Sequence, residues 1–134
     1  KKVPTKFLAD KKLLGIVFQN ILSNSINYTP DRGSISLSLN LDKSEKNIIF
    51  KVSDSGYGIP KSQQSKIFTK LFRADNAQKI DTNGTGLGLY IVKSIIDKSG
   101  GKVWFESMEG KGTTFYISLP IEGMKKIEGT KSLL

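Results

Sequence analysis

Between residues 34 and 41 the side chains alternate: Ile35, Leu37, Leu39 and Leu41 are separated by Ser36, Ser38 and Asn40. Successive side chains of an extended strand point to opposite faces, so a period of two puts every apolar residue on one surface. That surface must be covered, while the serine face can meet water. The run Asn-Ile-Ile-Phe-Lys-Val at 47–52 follows across the polar stretch Asp42-Lys43-Ser44-Glu45-Lys46, and the two are most simply an antiparallel hairpin. A second pair, 103–106 and 114–119, flanks Met108-Glu109-Gly110-Lys111-Gly112 near the end of the chain.

Helical spacing fills the gaps between these pairs. After Asp10, a side chain suited to capping, Leu13, Ile16, Val17 and Ile21 recur along one face until Thr29-Pro30 stops the run. Residues 61–73 fit a short helix carrying Ile67, Phe68, Leu71 and Phe72, and residues 87–98 a stronger one with Leu89, Val92, Ile95 and Ile96 ahead of Gly100-Gly101. Residues 54–60 read as a loop, and 74–84 as a polar gap of the kind that often serves as a functional lid. Strand pairs and helices segregate without βαβ alternation, which predicts an α+β fold. The expected architecture is a two-layer sandwich: a mixed, mostly antiparallel sheet with helices on one face.

A chain of 134 residues suffices for one such domain, here assigned to 10–120, with 1–9 an N-terminal extension and 121–134 a lysine-rich tail. The absence of cysteine excludes disulfides and thiolate metal sites. No apolar run approaches the roughly 20 residues a bilayer-spanning helix needs. Lys and Arg number 21 against 12 acidic residues, a net +9 that admits nucleic acid, anionic membrane or a phosphate-bearing small molecule. The lysines are scattered, as on a solvated basic surface.

Three polar clusters could carry chemistry. Asn20, Asn24 and Asn27 or Tyr28 lie one helical turn apart, either as an exposed polar face or as amide oxygens for a hard divalent cation. Asp54-Ser55-Gly56-Tyr57-Gly58-Ile59-Pro60 follows a strand; it is either an ordinary turn or a place where a flat ligand approaches the backbone beside a carboxylate acceptor. Gly84-Thr85-Gly86-Leu87-Gly88-Leu89 opens a helix, where backbone N–H groups can meet phosphate oxygens. A dinucleotide-binding reading would need a strand just before it and glycine at Leu89, and a Walker A pattern is missing.

Taken in order, these segments resemble the catalytic and ATP-binding domain of sensor histidine kinases. Such kinase domains fall in the GHKL (Bergerat) superfamily, shared with gyrase-type topoisomerases, mismatch-repair ATPases and a heat-shock chaperone. The likeness covers roughly residues 10 to 120, and the polar gap then corresponds to an ATP lid. It implies that Asn24 coordinates magnesium with Asn20 and Asn27 nearby, that Tyr28 contacts the nucleotide, and that Asp54 accepts the adenine amine. Asp54, Gly56 and Gly58 resemble the first glycine box, which implies that Ile59 packs on the base, while Ile67, Phe68 and Phe72 resemble the phenylalanine box. Arg73 matches the arginine that reaches the terminal phosphate. Gly84, Thr85, Gly86, Leu87, Gly88 and Leu89 match the second glycine box, and Thr113 would close the adenine pocket.

The implied cofactors are ATP and Mg2+. The implied partners are a histidine-bearing dimerisation domain of the same protein and a response regulator, with no nucleic acid and a monomeric isolated domain. The implied placement is cytoplasmic, whether or not the intact protein is anchored in the cell membrane. No residue of this chain is expected to be a covalent catalyst, and with no histidine it cannot be its own acceptor. Two departures stand out: Asn27 where the family commonly has lysine, leaving Lys70 or Lys79 to supply a phosphate contact, and Ser25 where alanine is usual. A regulatory module that binds nucleotide without transferring phosphate, and a basic nucleic-acid-binding domain, remain alternatives.

Overall fold

A computed structural model of the chain describes residues 3, 4, 6–70 and 88–126. Helix α1 spans Lys11–Asn27, strand β1 Ile35–Leu41, β2 Asn47–Asp54, helix α2 Gly88–Lys98, β3 Lys102–Met108 and β4 Gly112–Pro120. The Asp10 side chain accepts from the Leu13 N–H at 3.0 Å, satisfying one of the first-turn donors a helix leaves orphaned. At the other end the Tyr28 N–H still reaches the Asn24 carbonyl before Pro30 ends the run.

The sheet order is β1-β2-β4-β3, and all the described strand pairs are antiparallel. Both expected hairpins form, but the apolar face of β1, expected to be covered, is not: Leu37 is 60% and Leu39 44% exposed, because β1 is the edge strand of the sheet and the core lies over β2, β4 and β3. Three strands run further than expected, because pairing continues through residues that look like loop: Asp54 opposes Thr113, and Ser107 opposes the same Thr113 from the other side. Residues 61–73, expected as an α-helix, begin as a 3-10 helix at Lys61–Lys66. Lys-Ser-Gln-Gln-Ser-Lys offers no apolar stripe to bury, and the Gln63 N–H closes the tighter turn on the Pro60 carbonyl. The remainder of that segment past residue 70, and the expected lid at 74–84, lie outside the described residues.

The core fills the space between α1, α2 and one face of the sheet. Helix α1 contributes Leu13, Val17 and Ile21, spaced by four, and α2 contributes Val92, Ile95 and Ile96. They meet Val52 of β2, Val103 of β3, and Phe115, Ile117 and Leu119 of β4. The flanks join the same body, since Met124 is buried in the core, its N–H donates to the Leu8 carbonyl, and Phe7 packs alongside. On the opposite face Trp104 stacks on Tyr116 with ring centroids 5.2 Å apart. A hydrogen bond from the Tyr116 hydroxyl to Glu106 raises the phenol above its ordinary pKa.

Candidate functional site

The inward-facing row of β2 runs Ile48, Phe50, Val52, Asp54, and the facing row of β4 runs Leu119, Ile117, Phe115, Thr113. Each row is apolar until its last member. At that end Asp54 Oδ1 accepts from the Gly56 N–H at 2.9 Å and from the Thr113 N–H at 3.1 Å. Both bonds fall on one oxygen, so Oδ2 is left to a donor from outside the described residues.

Glycine is required around this carboxylate for steric reasons. A Cβ on Gly56 would lie 2.2 Å from the Tyr28 carbonyl oxygen, and one on Gly58, whose φ is +72°, would lie 2.2 Å from the Met108 carbonyl oxygen. The loop is thus pressed between the end of α1 and the β3–β4 turn. Tyr57 donates to the Tyr28 carbonyl, and Gly110 donates to the Tyr57 carbonyl at 2.7 Å. Beyond it, Ile59 packs on the core, Ile67 is buried, and Phe68 meets Phe105 and Phe115 edge-on.

Helix α1 brings the amides to the same end. The Asn20 Nδ2 donates to the Ile16 carbonyl at 2.8 Å, which turns its Oδ1 toward α2, where a Cβ on Gly88 would lie 2.8 Å from it. Asn24 is half-buried and makes no side-chain hydrogen bond among the described residues, so its neutral oxygen is of the type a magnesium ion accepts beside phosphates and waters. Asn27 is exposed and Tyr28 half-buried. Leu89 packs against the core from the first turn of α2. Lys70 Nζ sits 6.0 Å above the Tyr90 ring, on the same turn. Phe72, Arg73, Lys79, Gly84, Thr85, Gly86 and Leu87 lie outside the described residues.

Two residues missed in the sequence tie the site together. Ser107 accepts from the Ile59 N–H at 2.8 Å, donates to the Gly112 carbonyl and shares a 2.8 Å contact with the Thr113 hydroxyl. Gln64 donates to both the Ile59 and Ser107 carbonyls. Ser107 was findable: it falls in the inward register of Val103 and Phe105, where a polar residue needs a reason. Gln64 carries no such signal.

The family described as histidine kinase-, DNA gyrase B- and HSP90-like ATPase matches residues 9–123. The sensor histidine kinase WalK of Bacillus subtilis is 39% identical over 111 residues, 83% of this chain and 18% of that protein. The sensor protein kinase WalK of Staphylococcus aureus is 34% identical over 122 residues, 91% of this chain and 29% of that protein. The chain therefore spans less than a third of the length of either relative. Among solved structures, a mycobacterial sensor histidine kinase, MprB, superposes with a TM-score of 0.74 at 26% identity, over 91% of this chain and 85% of that one. The catalytic domain of the histidine kinase ThkA superposes at 0.68 with 31% identity, over 84% of this chain and 70% of that one.

Proposed function

Because the chain belongs to the histidine kinase-, DNA gyrase B- and HSP90-like ATPase family, we propose that it is the ATP-binding catalytic domain of a sensor histidine kinase. It binds Mg-ATP and donates the terminal phosphoryl group to a histidine on a separate dimerisation domain of the same protein, from which a response regulator receives it. The observation that carries this reading is Asp54: one carboxylate oxygen is held by two backbone donors, and the other is left for an amino group such as that of adenine.

The chain's own residues do three things in this scheme. Asp54, Gly56, Gly58, Ile59 and Thr113 orient the base; Ile67 and Phe72 support the pocket wall; Asn20, Asn24, Asn27 and Tyr28 line the phosphate side. Arg73 and the run Gly84, Thr85, Gly86, Leu87, Gly88 and Leu89 bring a cation and backbone donors to the phosphates. Magnesium, held by Asn24, supplies charge neutralisation when bound. Catalysis is then positioning plus electrostatics around a loose transition state, with no covalent intermediate on this chain. The acceptor imidazole comes from elsewhere, since the chain contains no histidine.

We take 10–120 as the nucleotide-binding unit, flanked by 1–9 and 121–134, monomeric in isolation, working in the cytoplasm and not on nucleic acid. No helix among the described residues is long and apolar enough to cross a membrane. Calorimetry with an ATP analogue, with and without magnesium, is expected to show saturable binding; a folded protein that binds nothing at millimolar analogue would end the proposal.

A second reading, a nucleotide-binding regulatory module, draws on Asn27, an exposed amide where the family commonly has lysine. Supplying the histidine-bearing domain in trans with labelled ATP separates the two. Phosphohistidine supports the kinase, whereas tight binding without transfer supports the module.

A further inference from the structure

Strand β1 ends the sheet, and no described strand takes its free edge. Antiparallel ladders alternate: a residue whose N–H and C=O bond the neighbouring strand is followed by one whose groups point away. The Ser34 carbonyl accepts from the Ser55 N–H, and the Asp42 N–H donates to the Asn47 carbonyl, so the even-numbered residues of β1 bond β2. The N–H and C=O groups of Ile35, Leu37, Leu39 and Leu41 therefore point out along the edge. The register with β2 is unbroken from Ile35 to Leu41, with no bulge to twist that edge away.

Natural sheets protect such an edge with charge, proline or a bulge. The opposite edge strand, β3, carries Lys102 and Glu106. Ile-Ser-Leu-Ser-Leu-Asn-Leu of β1 carries neither charge nor proline. Its inner face is uncovered as well: Leu37 and Leu39 are exposed, and both border an apolar groove walled by Phe18 and Leu22 of α1 and by Phe50 of β2. A regular edge beside an exposed apolar row is a surface on which a sheet can continue.

Symmetry picks the strand that continues it. β1 reads the same in both directions about Ser38, apolar at 35, 37, 39 and 41 and polar at 36, 38 and 40. A two-fold axis through Ser38 sets Leu37 of one copy opposite the partner's Leu39, and Ile35 opposite the partner's Leu41. These four residues hold the outward backbone groups, so the edge donors and acceptors of both strands are met. An axis through Leu37 would leave Leu41 without a mate in the strand, and one through Leu39 would leave Ile35. Charge agrees with the pairing: the chain carries +9, yet residues 33 to 41 carry none, and the register runs Asp31 toward the partner's Lys43 and Lys46.

We infer that β1 is a self-association surface, on which a second copy of this chain pairs edge to edge in an antiparallel two-fold dimer. Two four-stranded sheets become one, and the Leu37 and Leu39 rows of both copies cover each other at the axis. Because the strands run in opposite directions across the axis, the two Asp54 ends face opposite ways and neither is blocked. The monomer taken above is the dilute form of this unit. The inference stands whether or not the chain binds nucleotide.

The test uses the whole chain, which has no cysteine of its own. Ser38 meets its own copy across the axis as a non-hydrogen-bonded pair, where side chains come closest. With oxidised glutathione as oxidant, Ser38→Cys is expected to form a covalent dimer at least about 10-fold faster than Ser36→Cys, whose sulfur would face the partner's Asn40. Sedimentation of the original chain should move from the monomer mass toward twice that mass between about 1 µM and about 500 µM. Leu37→Lys, a charge at an exposed edge position, should keep the monomer mass over that range and melt with the original when both are dilute. Equal cross-linking at positions 36 and 38, or growth past the dimer into larger polymers, would overturn the inference. So would a monomer mass throughout for the original chain, which would leave the face to a partner of another kind.

Discussion

Strand β2 lies between two aspartates, and they mark opposite ends of the sandwich. Asp42, before the strand, spends both carboxylate oxygens inside the protein. Its Oδ1 accepts from the Ser44 hydroxyl and the Lys46 and Asn47 N–H groups, and its Oδ2 accepts from the Asn47 side chain. Asp54, at the far end of the strand, spends only Oδ1 among the described residues. Between them the rows of β2 and β4 are apolar, with Ile48 and Leu119 at the Asp42 end both nearly inaccessible. The difference teaches a division of labour: one end closes its polar groups on themselves and holds the fold, while the other keeps acceptors unspent and can bind.

The sharpest way to break that division is to damage the closed end. Leu119 is fully buried, and Leu119→Ala is expected to cost about 2 to 5 kcal/mol of stability, a large share of what a domain this size has. Chemical denaturation measures it. At temperatures where the variant is still folded, its nucleotide affinity should stay within a factor of a few; a selective loss of binding with unchanged stability would show that the two ends are not separate.

Damage to the open end should do the reverse. Asp54→Asn puts a donor where the adenine amine needs an acceptor, and binding is expected to fall about 100-fold or more. Its denaturation midpoint should move far less than that of Leu119→Ala, provided the retained side-chain oxygen still takes the Gly56 and Thr113 donors. Unchanged affinity in calorimetry would detach Asp54 from the ligand altogether.

Ser107→Ala sits between these extremes, because Ser107 belongs to the open end but its bonds are internal. The variant strips the Ile59 N–H of its 2.8 Å acceptor, and about 1 to 2 kcal/mol of stability is the expected loss. Affinity should drop modestly with it, through movement of the loop from Asp54 to Ile59. A stability loss with affinity untouched would mean that the loop holds its shape without the strand beside it.

Much of this division was legible before any coordinates. The alternation of Ile35 to Leu41, the cap at Asp10 and the glycine-punctuated Asp54 segment each follow from local chemistry, and strand, cap and loop appear where expected, although Leu37 and Leu39 stay exposed at the sheet edge where a covered face was expected. What escaped was long-range. Asp54, Ser107 and Thr113 look like turn residues because polar side chains near glycine usually are, yet cross-strand pairing keeps them in the sheet. Gln64 was invisible because its two acceptors, Ile59 and Ser107, come from different parts of the chain. Ser25 stood out only as a departure from a familiar pattern; its unmet hydroxyl is a property of the packed state.

The smallest expected effect belongs to Asp42, and pH gives its sign. Hydrogen bonding, from the Asn47 side chain foremost, holds this carboxyl below its ordinary 3.8. A carboxylate whose folded pKa is depressed contributes stability that is fully present above the unfolded value and disappears as pH falls through the folded one. At neutral pH, Asp42→Ala is therefore expected to melt slightly below the original, by less than Ser107→Ala. The gap should close on acidification below pH 3.8, toward the depressed value, because the original then loses the same charged acceptor. Nucleotide affinity at neutral pH should not change, since every bond of this carboxylate stays within the β1–β2 turn at the closed end. A melting difference that stays constant from neutral pH into that acid range would mean that the turn is held by its backbone alone. The contrast between the two aspartates would then lie in Asp54 only.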